Sequence, residues 1–325
     1  MYILGFDIGG TKCAVVTAEC NRDGITFLHK KKCDTDHTLS GEEMLNKLIK
    51  MADGILTKKP DRIGVSCGGP LDSRRGIVLS PPNLPTWKEV AVTDRLTSHY
   101  GVPAYLRNDA DACALAEWQF GAGRGTRNMI FLTFGTGLGA GLILDKRLYT
   151  GASDMAGEVG HIRLEKDGPI GYGKRGSFEG FCSGGGIAQM GRRYAEKALS
   201  EGKAVSFCKD KDALPSVTAK SIADAAHKGN EDAKEIYREC GKHLGAGLSI
   251  LIDILNPEAI VIGSIFARSE DLLRAEMEKV IRSECLAFSE RACRILPAAL
   301  GDQIGDYAAI SIAVTEGERK NERIP

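Results

Sequence analysis

With 325 residues, 43% of them hydrophobic, the chain is long enough for two domains with proper cores, and its 43 basic and 43 acidic side chains leave no charge excess to hold a nucleic acid. No apolar stretch approaches the ~18 residues of a membrane-spanning helix, and the opening Met1-Tyr2-Ile3-Leu4-Gly5-Phe6-Asp7 meets an acid without a basic region, against a secretion signal. Ten cysteines with no Cys-x-x-Cys pair read as reduced thiols of a cytoplasmic protein, not as a disulfide framework.

In chain order, residues 3–8 are apolar except for Asp7 and predict a strand, which Gly9-Gly10-Thr11-Lys12 interrupts before the apolar run 13–16. Lys30-Lys31-Lys32 is the densest basic run and reads as a solvated face. Met44, Leu45, Leu48 and Ile49 have helical spacing within 41–56. A short strand at 62–66 leads into Gly68-Gly69-Pro70, and the proline-rich 80–85 must be irregular. A strand at 104–106 precedes a helix from Asn108 to Gly121. The opening pattern then returns as strand 129–134, a glycine turn at 135–141 and strand 142–144. Residues 151–184 read as a glycine-rich loop, and the last third is helical with one clear strand at 259–262. A final helix near 307–314 is expected to pack back on the first lobe, ahead of a charged, frayed tail at 316–325. Alternation of strands and helices makes the class α/β. The repeat predicts two related lobes, each offering a glycine hairpin to one ligand lying between them.

Glycines let backbone N–H groups approach phosphate oxygens without Cβ clashes. A strand rather than a helix follows Gly9-Gly10-Thr11-Lys12, so this is not a Walker loop. An acid beside phosphates needs an intervening cation, which makes Asp7 a candidate for holding Mg²⁺ through water. The same residues also read as a plain hairpin with a type I′ turn. The four glycines of Gly135-Thr136-Gly137-Leu138-Gly139-Ala140-Gly141 carry an entropic cost, and with both turns present the phosphate reading overtakes the plain hairpin. Asn108-Asp109-Ala110-Asp111 reads as a helix cap. At a strand end between two phosphate turns, Asp109 also suits a weak base kept ionised by the helix N-terminus. Glu158, His161, Glu179 and the Asn108 amide form a set suited to a polyhydroxy ligand, though each alone would read as a polar side chain facing solvent.

In this order the motifs resemble the ROK family (repressors, open reading frames, kinases): Asp7-Ile8-Gly9-Gly10-Thr11-Lys12, the loop 76–87, Asn108-Asp109-Ala110-Asp111, the 135–141 turn and Gly157-Glu158-Val159-Gly160-His161. The resemblance runs from residue 5 to about 185 and more weakly to Ala313. It implies an actin-like ATPase (ribonuclease H-like) fold of two lobes with a nucleotide and sugar cleft, the first lobe being 1–121 plus the helix at about 305–325 and the second 122–304. It also implies transfer of the ATP γ-phosphate to a sugar hydroxyl, usually O6 of a hexose, with Asp109 as the base. Asn108, Glu158, His161, Glu179, the Gly69 backbone and Asn83 of the 76–87 loop would hold the sugar. Gly9, Gly10, Thr11, Lys12, Gly135, Thr136 and Gly137 would line the phosphates, Gly263 would sit on the adenosine side, and Mg²⁺ would accompany ATP. Glucose leads the candidate sugars, N-acetylhexosamines among those behind it, and the family suggests a homodimer. Neither nucleic acid nor membrane is expected as a partner.

Three departures stand out. Where the family has a zinc motif of one His and three Cys, this chain has Ile170-Gly171-Tyr172-Gly173-Lys174-Arg175-Gly176-Ser177-Phe178-Glu179. One histidine cannot make a structural zinc site, so zinc is not expected, and Cys182 does not restore it. Ile170 and Tyr172 are expected to fill the vacated space. Gly68 replaces a proline before Gly69, and the adenosine-side turn reads Gly263-Ser264-Ile265 in place of consecutive glycines. Besides the kinase, a repressor lacks support because Asp7 already lies in the first glycine turn. A catalytically silent sugar-binding sensor is the alternative that turnover would test.

Overall fold

The computed structural model describes residues 1–21 and 24–321. The chain forms two compact units: Met1–Arg127 with Gly141–Ala156 and the segment from Ala299 onward, and Asn128–Ala140 with Gly157–Ala298. The division expected from sequence stood at residues 121/122 and about 304/305, and it counted 122–127, 141–156 and 299–304 with the second lobe.

The first unit is built on a five-stranded sheet of β1 (Tyr2–Ile8), β2 (Lys12–Asn21), β3 (Gly24–Asp34), β4 (Arg62–Cys67) and, after three two-residue strands β5 (Leu71–Asp72), β6 (Ile77–Val78) and β7 (Val90–Ala91), β8 (Ala104–Asn108). Their order is β3-β2-β1-β4-β8. The hairpins β1–β2 and β2–β3 are antiparallel, and β1–β4 and β4–β8 are parallel. Side chains alternate across β1 as a strand requires. Leu4, Phe6 and Ile8 join Met44, Leu45 and Leu48 of α1 (Gly41–Asp53) and Leu96 of α2 (Val92–Tyr100) in one core. Ile3 faces the other way, with Ile310 and Ala313 of the last helix. Ser40 starts α1 with a capping box to Glu43, which explains why the helical spacing was readable. The sequence reading missed β3 and α2, both short of strong periodicity.

The last helix, numbered α10 below, lies close on the sheet because Gly5 and Gly64, paired in register, leave room for it. A Cβ on Gly64 would stand 1.9 Å from Ala309 O. Residues of β1 and β4 therefore face backbone as well as side chains. The helix α3 (Asp109–Phe120) completes this unit.

A second sheet, of order β11-β10-β9-β14-β15, comprises β9 (Met129–Phe134), β10 (Leu138–Leu144), β11 (Arg147–Tyr149), β14 (Ala259–Ile262) and β15 (Arg294–Pro297), with β14 parallel to both β9 and β15. The short hairpin β12 (Ile170–Gly171) and β13 (Lys174–Arg175) and the single turn α4 (Phe178–Phe181) interrupt the expected loop. Then come α5 (Gly184–Ser200), α6 (Ala219–His227), α7 (Glu231–Leu255), α8 (Ile265–Glu284), α9 (Ala287–Ala292) and α10 (Ile304–Asn321). Gly241 and Gly245 of α7 admit the α8 backbone, since a Cβ on Gly245 would meet Met277 O at 2.5 Å. The expected frayed tail is helical as far as Asn321, and residues 322–325 lie outside the described residues. Among the described residues no helix is long and apolar enough to cross a membrane, and all ten cysteines are free.

Candidate active site

A backbone hydrogen bond closes each glycine turn, between residues three apart in the first and two apart in the second. The Gly9 N–H closes the first by donating to Lys12 O (3.1 Å), and the Gly135 N–H closes the second by donating to Gly137 O (3.1 Å). The next two amides of each turn, Gly10 and Thr11 in one and Thr136 and Gly137 in the other, donate to no acceptor among the described residues. Thr11 and Thr136 are exposed. Undonated amides in a glycine turn are what an anion-binding concavity is built from. None of Gly9, Gly10, Gly135 and Gly137 has positive φ, which excludes the type I′ hairpin. What requires glycine is space: a Cβ on Gly10 would sit 2.5 Å from Asn83 Cβ, and one on Gly137 would sit 2.7 Å from Glu179 Oε2. Asn83 thus lies against the first turn.

Asp7, on β1 just before that turn, is half-buried. Burial, then Asp306 and Asp109, push its carboxyl up to about 6, with Lys30 and Lys32 opposing. Lys30 is not merely a solvated face, since it pairs with the buried Asp306. Gly305, beside Asp306 in the first turn of α10, permits the approach: a Cβ there would stand 2.5 Å from Asp7 Oδ2. Sequence reasoning missed Gly305 and Asp306. Their one signal is a Gly-Asp pair opening a helix expected to return to this unit. A carboxylate held among like charges welcomes a cation, so Asp7 suits Mg²⁺ held through water. Among the described residues no group of three or more His, Cys, Asp or Glu is arranged to hold a metal directly.

Because the folded pKa of Asp7 lies above its ordinary 3.8, its ionised form costs stability. The cost is complete above about pH 6 and vanishes as pH falls below the ordinary value. Asp7→Asn is therefore expected to stabilise the ligand-free protein by about 1–2 kcal/mol at pH 7.5, allowing for its partial exposure, and by almost nothing at pH 4. Urea unfolding at the two pH values checks this. An equal effect at both would remove the electrostatic explanation.

Asn108 caps α3 by accepting the Ala110 N–H at Oδ1 (2.9 Å). Its Nδ2 lies 3.1 Å from where a Cβ on Gly69 would be, so Asn108 and the Gly69 backbone adjoin. Asp109 Oδ1 accepts the same Ala110 N–H (2.8 Å), and the residue is solvent-accessible. The helix amides lower its carboxyl, as the sequence implies, but the density of protein around it raises it more, and the net direction is up. Asp109 is thus a better base than a cap position alone suggests.

In the second unit, of the residues expected on the sugar side, Glu179 packs on the second turn. Glu179 Oε2 accepts the Leu138 N–H (3.0 Å), and Gly160 packs so tightly that a Cβ would meet Leu138 O at 2.1 Å and Glu179 Cβ at 3.2 Å. Glu158 and His161 flank Gly160 and are exposed. The expectation for the following loop fails: Ile170 and Tyr172 are 43% and 73% exposed and fill no vacated space. His161 packs edge-on against the Tyr172 ring (6.4 Å), and Cys182 is buried with its thiol on Cys240 O. Hydrogen bonds hold the loop instead. Gln189 of α5 clamps Ile170 at both N–H and C=O (2.9 and 2.8 Å), and Gly176 O accepts the Leu164 and Glu165 N–H groups. No sequence signal marks Gln189. Gln189→Ala is expected to lower stability by about 1–2 kcal/mol, read as a lower urea midpoint, whereas washing with chelator should leave it unchanged.

Gly263 is buried and spends its N–H on Leu132 O (3.0 Å). The carbonyls of the second turn are taken by the start of α5, with Gly184 N–H on Gly135 O (2.8 Å) and Gly185 N–H on Thr136 O (3.4 Å). That contact, which the sequence reading missed, ties the turn to α5 and leaves the Thr136 and Gly137 amides undonated among the described residues.

A family model described as ROK family matches residues 3–316. The glucokinase of Streptomyces coelicolor is 30% identical over 315 residues, spanning 95% of this chain and 96% of its own. A xylose repressor of Bacillus spizizenii is 26% identical over 322 residues, spanning 96% of this chain and 77% of its own. The crystal structure of a ROK family glucokinase from Streptomyces griseus in complex with glucose and AMPPNP is similar with a TM-score of 0.77 and 28% identity, covering 97% of this chain and 100% of that one.

Proposed function

Given that the chain belongs to the ROK family and has its α/β, actin-like ATPase fold, we propose that it is an ATP-dependent sugar kinase acting on a hexose or N-acetylhexosamine, at O6, with glucose the first candidate. The observation that carries the reading is the glycine turn that occurs twice: each turn has two undonated amides, which suit phosphate oxygens. Asp109 supplies the second requirement, a solvent-accessible carboxylate whose surroundings raise it.

In this reading the sugar hydroxyl oxygen bonds to the γ-phosphorus of ATP, the bond to the ADP oxygen breaks, and the hydroxyl proton passes to Asp109. Such a transfer asks the protein mainly for positioning and charge stabilisation. Gly10, Thr11, Thr136 and Gly137 offer backbone N–H donors and Lys12 a cation, with Gly9 and Gly135 closing the two turns. Mg²⁺ would neutralise phosphate charge, and Asp7 would hold it through water. Asn108, the Gly69 backbone, Asn83, Glu158, His161 and Glu179 supply donors and acceptors for sugar hydroxyls. Gly263 is left as packing beneath the adenosine side.

The test is ADP release with ATP and Mg²⁺ across a panel of hexoses and N-acetylhexosamines. Turnover that depends on one sugar supports the kinase and names its substrate. The similarity to a xylose repressor favours a second reading, a sugar-responsive member without catalysis. Sugar binding without turnover for any member of the panel would select it.

A further inference from the structure

At the second glycine turn, within the second unit, the starts of α5 and α8 converge. A Cβ on Gly184 would lie 3.1 Å from Gly135 O and 3.3 Å from Ile265 Cδ1, and one on Gly135 would lie 3.8 Å from Ser264 Oγ. Ser264 takes φ 53° and ψ −107°, a backbone region side chains other than glycine rarely adopt. Its hydroxyl accepts a hydrogen bond from Arg268 Nη2 (2.9 Å). The φ/ψ of Ser269 (−136°, 29°) breaks the helix directly after Arg268, so the turn carrying Ser264 and Arg268 is set off from the body of α8. Arg268 is exposed, and among the described residues no carboxylate pairs with it, although salt bridges engage the neighbouring Arg274 and Arg282.

From this we infer that Arg268 is a donor-binding residue: its guanidinium, held beside the second turn by Ser264, binds the phosphate chain of the nucleotide together with the undonated amides of Thr136 and Gly137. The inference rests on the reading of that turn as a nucleotide phosphate site. The supporting chemistry is general. A guanidinium has five donors, and the bond to Ser264 occupies one of them. The others fit phosphate oxygens in a fork geometry that an ammonium cannot reproduce. Tying the head to Ser264 lowers the side-chain entropy lost on binding.

The experiment is calorimetric titration of the whole protein with ADP, with inorganic tripolyphosphate and with adenosine, comparing wild type, Arg268→Ala and Arg268→Lys. Arg268→Ala is expected to weaken ADP and tripolyphosphate by about 10- to 100-fold, the range of one charge-assisted contact, and to leave adenosine and the sugar unchanged. Arg268→Lys should recover part of the loss. ADP binding to Arg268→Ala within twofold of wild type, or a loss that follows adenosine instead, would overturn the inference and leave the kinase reading standing. A wild type that binds neither ADP nor tripolyphosphate would overturn both.

Discussion

Asp109→Asn is expected to lower kcat by about 100- to 10,000-fold and to change sugar affinity by less than about threefold. The amide is isosteric and keeps the oxygen that accepts the Ala110 N–H, so the start of α3 should survive. What it removes is a proton acceptor needed only as the hydroxyl proton leaves, which is why the loss falls on kcat and not on binding. The pH profile gives an independent readout. A base must be deprotonated to act, and the carboxyl of Asp109 is raised from its ordinary value because the density of protein around it outweighs its helix amides. Activity should therefore fall as pH drops through that raised pKa, and this acid limb should disappear in Asp109→Asn. Wild-type rates in the variant, or an unchanged acid limb, would remove Asp109 from the catalytic role.

Glu117→Ala is expected to destabilise the first unit by about 3–5 kcal/mol, and Glu117→Gln by less. Glu117 is fully buried in α3. Its Oε2 accepts the Ala122 N–H (2.8 Å) and the Ala299 N–H (3.2 Å), and its Oε1 accepts the Leu300 N–H (3.0 Å). One carboxylate thus joins the end of α3 to the segment that leads into α10. Removing it leaves three backbone donors at a partly buried site without their acceptor, each worth about 1–3 kcal/mol in part offset by water and relaxation, and leaves a cavity where the Glu117 side chain was fully buried. Both tryptophans, Trp87 and Trp118, belong to this unit, so their fluorescence during urea unfolding reports on it selectively. A change below about 1 kcal/mol for Glu117→Ala would show that this carboxylate does not anchor the segment.

Gly5 and Glu117 illustrate what a sequence conceals. Gly5 sits within an apolar strand and reads as a weak spot, yet its glycine is demanded by a helix some three hundred residues later in the chain. Glu117 reads as an ordinary helix-surface acid. Both depend on which distant segment packs nearby, and that depends on the whole chain. Gln189 is the same case: its clamp on Ile170 exists because α5 runs past a loop whose residues lack any periodicity.

The glycine turns, the Asn108 cap and the α/β alternation were legible because their causes are local. A turn needs its glycines within four residues, a cap needs its side-chain oxygen two or three residues ahead, and strand or helix spacing repeats over one element. The sequence by itself therefore determined where the candidate phosphate amides and the candidate base lie along the chain. Only the tertiary structure decided their chemistry. Asp306 and Lys30 come from opposite ends of the chain to set the charge around Asp7. The density of protein around Asp109 reverses the shift that a helix N-terminus alone would impose on it. The start of α5 takes the Gly135 and Thr136 carbonyls, while the Thr136 and Gly137 amides stay undonated among the described residues. Electrostatic work and desolvation depend on distance and surrounding density, which the fold creates and no local pattern encodes.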